Sequence, residues 1–183
     1  MPAAGTDTLV YDVEDFKVYP VSTDTSSASP TFGTAVDVPG INSISLDPGL
    51  VSAEVKGDGG KVLGFKSRAD RYTVSATYSK LSLDVLEVIM GQTTTLNGND
   101  QELALDTDEL PKFRAVIQVL DTSSDVGDVH VDLYVCRLSG GTLLGQSADN
   151  FGQPTFDLVA FSPQFSTSPI GKLIFHETAT TPA

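Results

Sequence analysis

The sequence predicts a mainly β protein, two antiparallel sheets packed as a sandwich or barrel, with one short flanking helix at about residues 83–90. Three observations carry this. Short apolar or alternating runs recur along the 183 residues, turn residues punctuate them, and only one segment abandons the period of two for a helical spacing. Many short strands with such punctuation belong to sandwiches and barrels.

In chain order, the first strand is expected over residues 12–21, followed by an irregular arm over 22–40, "STDTSSASPTFGTAVDVPG", rich in Ser, Thr, Gly and Pro. After Pro39 comes a strand over 43–56, in which Val51, Ala53 and Val55 alternate with Ser52, Glu54 and Lys56. Asp58-Gly59-Gly60 is a hairpin turn signal. It leads into 62–65 and then 71–79, where Tyr72, Val74, Ala76 and Tyr78 face one way and Arg71, Thr73, Ser75, Thr77 and Ser79 the other. That is the pattern of a half-buried strand.

After Lys80 the alternation stops. Lys80, Asp84, Glu87 and Gly91 fall on one side of a helix and leave the rest apolar. Ser82 is placed to cap its start, Asp84 lies in the first turn where the helix dipole favours an acid, and Gly91 is placed to end it. Val85, Val88 and Ile89 are β-branched and lower the helix propensity, so packing must hold so short a helix. Because Leu81, Leu83 and Val85 still alternate, a strand continuation is the alternative; the run Leu86, Val88, Ile89, Met90 breaks it.

An acidic loop is expected over 92–110, with Asn97-Gly98 as a turn signal inside it. Strands follow over 113–121, 129–138, 155–162 and 171–177, separated by Ser139-Gly140-Gly141 and by prolines 111, 154, 163 and 169; Pro48 is read as a stop too. The tail from about 179 is expected to fray. All of this fits one domain over 1–183, large enough to bury a core.

Bulk properties narrow the function. No apolar run approaches the roughly 20 residues of a membrane-spanning helix, and the N-terminal "MPAAGTDTLVYD" has neither the basic nor the apolar region of a secretory signal, so the chain is expected to stay where it is made. Cys136 alone supports no disulfide framework and is expected to be a small buried residue without a redox role. A net charge of −13 argues against gripping nucleic acid through its phosphates. The charge is also segregated. Residues 56–80 hold six of the eleven basic residues, Lys56, Lys61, Lys66, Arg68, Arg71 and Lys80, against only Asp58 and Asp70. A solvated basic hairpin is one reading; a basic element meeting the acidic surface of another copy is the other, and it explains the segregation.

No reactive constellation is legible. His130 and His176 lie in different predicted strands without metal-ligand spacing and are read as structural. "KGDGGK" at 56–61 lacks the order of a phosphate-binding loop. "DTDE" at 106–109 and "DTSSD" at 121–125 lack a calcium-loop pattern and read as solvated acidic loops. No catalytic residue, metal or cofactor is expected.

Taken together, "YDVEDFKVYPV", "PTFGTAVDVPGINSISLDPGLVSAEVKGDGG" and "ADRYTVSATYSKLSLDVLEVIMG" resemble the major tail tube protein of long-tailed, non-contractile phages, particularly those of actinobacteria, over about residues 10–138. The resemblance implies two packed sheets flanked by a helix, assembled as six-membered rings that stack into a tube through which DNA passes. It implies a virion protein assembled in the host cytoplasm, with tape measure, tail terminator and tip proteins as partners and no membrane. Lys56, Gly57, Asp58, Arg68, Arg71, Leu86 and Ile89 are then expected at subunit contacts. Alternation and the resemblance together assign Ser52, Glu54, Thr73, Ser75 and Thr77 to the lumen. An acidic wall would repel DNA and let it slide, provided Lys56 and Arg71 pair with Glu54 or a neighbour's acids. The alternative is a monomeric β-sandwich recognition module, carbohydrate-binding or capsid-decorating, which should display aromatics; there is no Trp, and the five tyrosines do not cluster. A hydrolase is a third class without positive support.

Overall fold

The computed structural model describes residues 10–80, 82–105, 109–121, 128–143, 152–165 and 167–176. Among these residues, eleven strands and one α-helix follow in order: β1 Val10–Thr25, β2 Ala28–Phe32, β3 Val36–Asp37, β4 Ile41–Lys56, β5 Val62–Tyr78, α1 Leu83–Met90, β6 Thr94–Asn97, β7 Asp100–Leu103, β8 Phe113–Asp121, β9 Asp128–Thr142, β10 Thr155–Ala160 and β11 Gly171–Phe175. The main sheet runs β2-β1-β8-β9-β10-β5-β4, with β3 added to β1 and β11 to β9, and β6-β7 form a separate hairpin. Every pairing is antiparallel. The mainly β class with one short helix is as the sequence predicts.

Aromatic contacts show how the sheet becomes layered. β1 and β10 are separated by two strands, which in a flat sheet would place them about 14 Å apart. Yet the Phe16 and Phe156 rings lie 5.6 Å apart, and Tyr78 of β5 lies 5.2 Å from Phe156. The network therefore curls until its inner faces meet. One core cluster results, with Phe16, Val18, Val74, Phe113, Ile117, Phe156 and Leu158 essentially sealed from water. β9 is the branch point: one edge pairs β8, while the other pairs first β11 over Val129–Leu133 and then β10 over Cys136–Thr142.

The helix forms where its spacing places it, packed on β1, β3 and β9. Val85, Leu86 and Ile89 enter the core, Asp84 is exposed and Glu87 half-buried. Ser82 occupies the N-cap position without a side-chain cap bond, and Gly91 ends the helix at φ 73°, its N–H bonding the Glu87 carbonyl. Glu87 also accepts from the backbone and hydroxyl of Thr94. Those two bonds hold its carboxyl below the usual range and tie α1 to β6.

Several expectations are corrected. The stretch 22–40 is not an irregular arm: β1 runs on to Thr25 and turns into β2, with Thr23 and Thr31 hydroxyls 2.6 Å apart across the pair. Threonine suits a strand as well as a turn, so composition misled. The stretch 92–110 contains the β6-β7 hairpin, closed at Gly98 with φ 68°, the glycine-first geometry of a two-residue turn. Ser139-Gly140-Gly141 does not stop β9. A Cβ on Gly141 would lie 2.3 Å from the Thr155 carbonyl, so the glycine permits close backbone approach at a bulge beside Asp157/Leu158. Pro48 lies within β4, where an edge strand tolerates the missing donor. Residues 62–65 and 71–79 are one strand, β5. Most of "DTDE" and "DTSSD", and the tail beyond 176, lie outside the described residues.

Candidate functional site

The basic hairpin read from the sequence forms, and what patterning did not reveal is that it projects from the body as a ribbon with apolar side chains exposed. β5 is held between β10 and β4 over Tyr72–Thr77; from Gly49 to Arg71 the β4-β5 hairpin pairs, among the described residues, with itself alone. Eight residues of β4 beyond Pro48 carry it about 25 Å outward. The tip needs its glycines: Gly59 and Gly60 have φ 79° and 78°, and Gly57 N–H bonds the Lys61 carbonyl at 2.9 Å.

Leu50, Val51, Val55, Val62, Leu63 and Phe65 on this ribbon are 50–71% exposed. The register shows why. Val51, Ala53 and Val55 pair with Arg68, Lys66 and Gly64 on one face; Leu50, Ser52 and Glu54 pair with Ala69, Ser67 and Phe65 on the other. Each face carries apolar and polar side chains, and neither has a layer of described residues behind it. Its ion pairs, Lys56 with Glu54 and Arg68 with Asp70, are both 3.8 Å and exposed, and such pairs contribute little. At the ribbon's base, Leu46, Ala69, Tyr72, Leu133, Ile170 and Leu173 line an open apolar groove.

A second surface is the outward face of the body. Register places Ser43, Ser45 and Asp47 of β4 beside Thr77, Ser75 and Thr73 of β5, and these beside Thr155, Asp157 and Val159 of β10. Ser75 donates to Asp157 Oδ1 at 2.5 Å, Ser43 and Thr77 share a hydroxyl bond, and Ser139 donates to the Asp157 carbonyl at 3.1 Å. Arg137, in register with Val159, is paired with Glu109 at 2.5 Å. The result is a wall of hydroxyls and carboxylates.

The residues singled out from sequence distribute as follows. Gly57 and Asp58 are at the ribbon tip, Lys56 beside it, Arg68 on its flank and Arg71 at its base, in register with Gly49. Leu86 and Ile89 are inside the chain's own core, so the apolar side chains that the helix offers other molecules are the half-buried Leu83, Val88 and Met90. Thr73, Ser75 and Thr77 share the hydroxyl wall, but Ser52 and Glu54 fall on the opposite face of β4. The cause is local. Apolar residues of β4 occupy even positions in the body, Ile44 and Leu46, and both parities in the ribbon, Leu50 and then Val51, Ala53 and Val55, because the ribbon has no core to enforce one parity. Cys136 is fully buried, which pushes its thiol pKa up.

No helix among the described residues is long and apolar enough to cross a membrane, which says nothing of strands. No protein-family model and no curated protein matches the sequence. Among solved structures, the chain is similar to one described as the anti-feeding prophage cap, the AFP tube terminating cap, at TM-score 0.46 and 11% identity over 93% of this chain and 96% of that one. It is also similar to a chain of the PVC sheath-tube complex of an extracellular contractile injection system in its extended state, at TM-score 0.43 and 9% identity over 89% and 88%. At these values neither description transfers to this chain.

Proposed function

We propose that this chain is a structural, non-enzymatic tube protein whose copies close into rings and stack into a phage tail tube, the conduit for genome DNA. The observation that carries this reading is the β4-β5 ribbon with its six large exposed apolar side chains. An isolated two-stranded ribbon is marginal in water, and an exposed apolar patch of this kind marks a contact with another molecule. A second copy is the occupant that suits it, because the ribbon carries a concentration of basic residues on a chain of net charge −13. Open edges support the same reading. β2 and β4 end the sheet path and β11 has β9 as its one partner among the described strands; closing such edges between subunits removes the unpaired backbone groups.

The hydroxyl wall is the lumen face in this reading, with Thr73, Ser75 and Thr77 on it and the ribbon reaching to the next subunit. A wall of hydroxyls and carboxylates makes no counterion-releasing contacts with DNA phosphates, so DNA slides without being held. Six-membered rings, the non-contractile tail type, the tape measure, terminator and tip partners, and the virion location with assembly in the host cytoplasm rest on the sequence resemblance. Negative-stain microscopy and sedimentation of the purified, untagged protein test the proposal. Rings or tubes are expected as concentration rises, lost when residues 51–66 are replaced by a short turn. A protein that stays monomeric throughout overturns it and returns the recognition-module reading.

A further inference from the structure

Three side chains that the tube role does not use converge at the end of the β9-β11 pair. Asp128 and His130 are two apart on β9 and so share a face; His176, 46 positions further along the chain, follows β11 and donates its backbone N–H to the Asp128 carbonyl at 2.9 Å. Register therefore stacks the three into two adjacent rows, with Gln118 of β8 opposite His130. One ligand atom from each of Asp128, His130 and His176 lies within 4.8 Å of the others. Asp128 is sealed from water and His130 is 5% exposed. His130 Nε2 is 2.8 Å from Asp128 Oδ2, Gln118 Nε2 donates to the same oxygen at 2.5 Å, and the two imidazole rings lie 4.4 Å apart. Among the described residues, Nε2 of His176 is buried with no hydrogen-bond partner, which a strong donor atom rarely is without cause.

We propose that Asp128, His130 and His176 bind one divalent transition-metal ion of borderline softness, Zn²⁺ being the best fit, as a clip that fastens β11 to the start of β9. Two neutral imidazoles and one carboxylate are the donor set such ions prefer, with a fourth position left for water. Metal–ligand bonds of about 2.0–2.2 Å set neighbouring ligand atoms about 3.3–3.5 Å apart, so small side-chain rotations suffice. The unpartnered nitrogen then gains a bond, and Gln118 orients the carboxylate from behind. A five-residue edge strand with one partner among the described strands gains most from such a clip.

The test uses untagged full-length protein, stripped with a chelator and dialysed. Zn²⁺ alone is expected to bind at one equivalent per chain in excess Mg²⁺ and to raise the melting temperature. Co²⁺ is expected to give the visible absorption of a four-coordinate site. His176→Ala should weaken Zn²⁺ at least about tenfold while leaving the metal-free melting temperature unchanged; His176→Gln, which keeps a polar side chain, gives the same comparison if the alanine variant folds poorly. Binding that Mg²⁺ displaces, or that both variants retain in full, overturns the site.

Discussion

Replacing Leu63 and Phe65 together with Ser isolates the ribbon's role. The two side chains are 71% and 64% exposed in the single chain. Fully burying a Leu or Phe yields about 1.5–3 kcal/mol, so covering the remaining two-thirds on assembly contributes about 1–2 kcal/mol from each. The pair is then worth about 2–4 kcal/mol per contact, which at 1.4 kcal/mol per tenfold raises the critical concentration for polymerisation about 30- to 700-fold. The isolated chain should notice little, because exposed substitutions usually stay within about 0.5 kcal/mol. Pelleting across a concentration series gives the threshold, and thermal melting below it gives the stability of the monomer. A double variant that polymerises at the wild-type threshold refutes the assignment. So does a monomer whose melting temperature drops by many degrees, since those side chains would then be packed within their own chain.

Reversing Arg68 and Arg71 to Glu should weaken polymerisation without changing the circular dichroism of the monomer, and raised salt should reproduce part of the effect, because exposed charges are screened over about 8 Å at physiological ionic strength; sedimentation reads both. Val88→Asp, on the half-buried side of α1, should give a folded monomer that does not form rings, since a carboxylate buried without a partner costs several kcal/mol; normal rings would show that this side faces water. Ser75→Lys with Thr77→Lys should permit tubes but slow DNA ejection and make it salt-dependent; unchanged ejection would take the hydroxyl wall out of the lumen. Asp24 lies 2.6 Å from Lys112 Nζ and accepts the Gln164 N–H at 2.9 Å. Burial raises its carboxyl, but the bonds from Lys112 and Gln164 and the Lys112 charge outweigh that and leave it lowered. Its stabilisation is therefore present above the unfolded value of about 3.9 and lost as pH falls through the lower folded one. Asp24→Asn should cost about 1 kcal/mol at neutral pH and little in strong acid; identical losses at both pH values would contradict the sign.

Local patterning by itself determined the β class, the order of the long strands and the helix at Leu83–Met90, because periods of two and 3.6 and a terminal Gly91 are properties of neighbouring residues. It failed where one composition serves two structures. Threonine and serine over 22–40 suited β2 as well as a loop, and Gly140-Gly141 suited a bulge inside β9 as well as a turn, since only the approach of the β10 backbone separates the two. The assembly residues show the same division. Lys56, Arg68 and Arg71 were legible as a charge concentration, but whether an apolar residue faces the core or another copy is a matter of what lies behind it. Ile89, with the core behind it, is sealed; Phe65, equally apolar, is left in water because β10 stops pairing at Tyr72. Nothing adjacent to either residue encodes that difference. His130 and His176 are the extreme case, since the pairing of β11 with β9 across the intervening chain is what sets their rings 4.4 Å apart; register between distant strands is a property of the folded sheet, and the sequence holds it only through the packing that selects it.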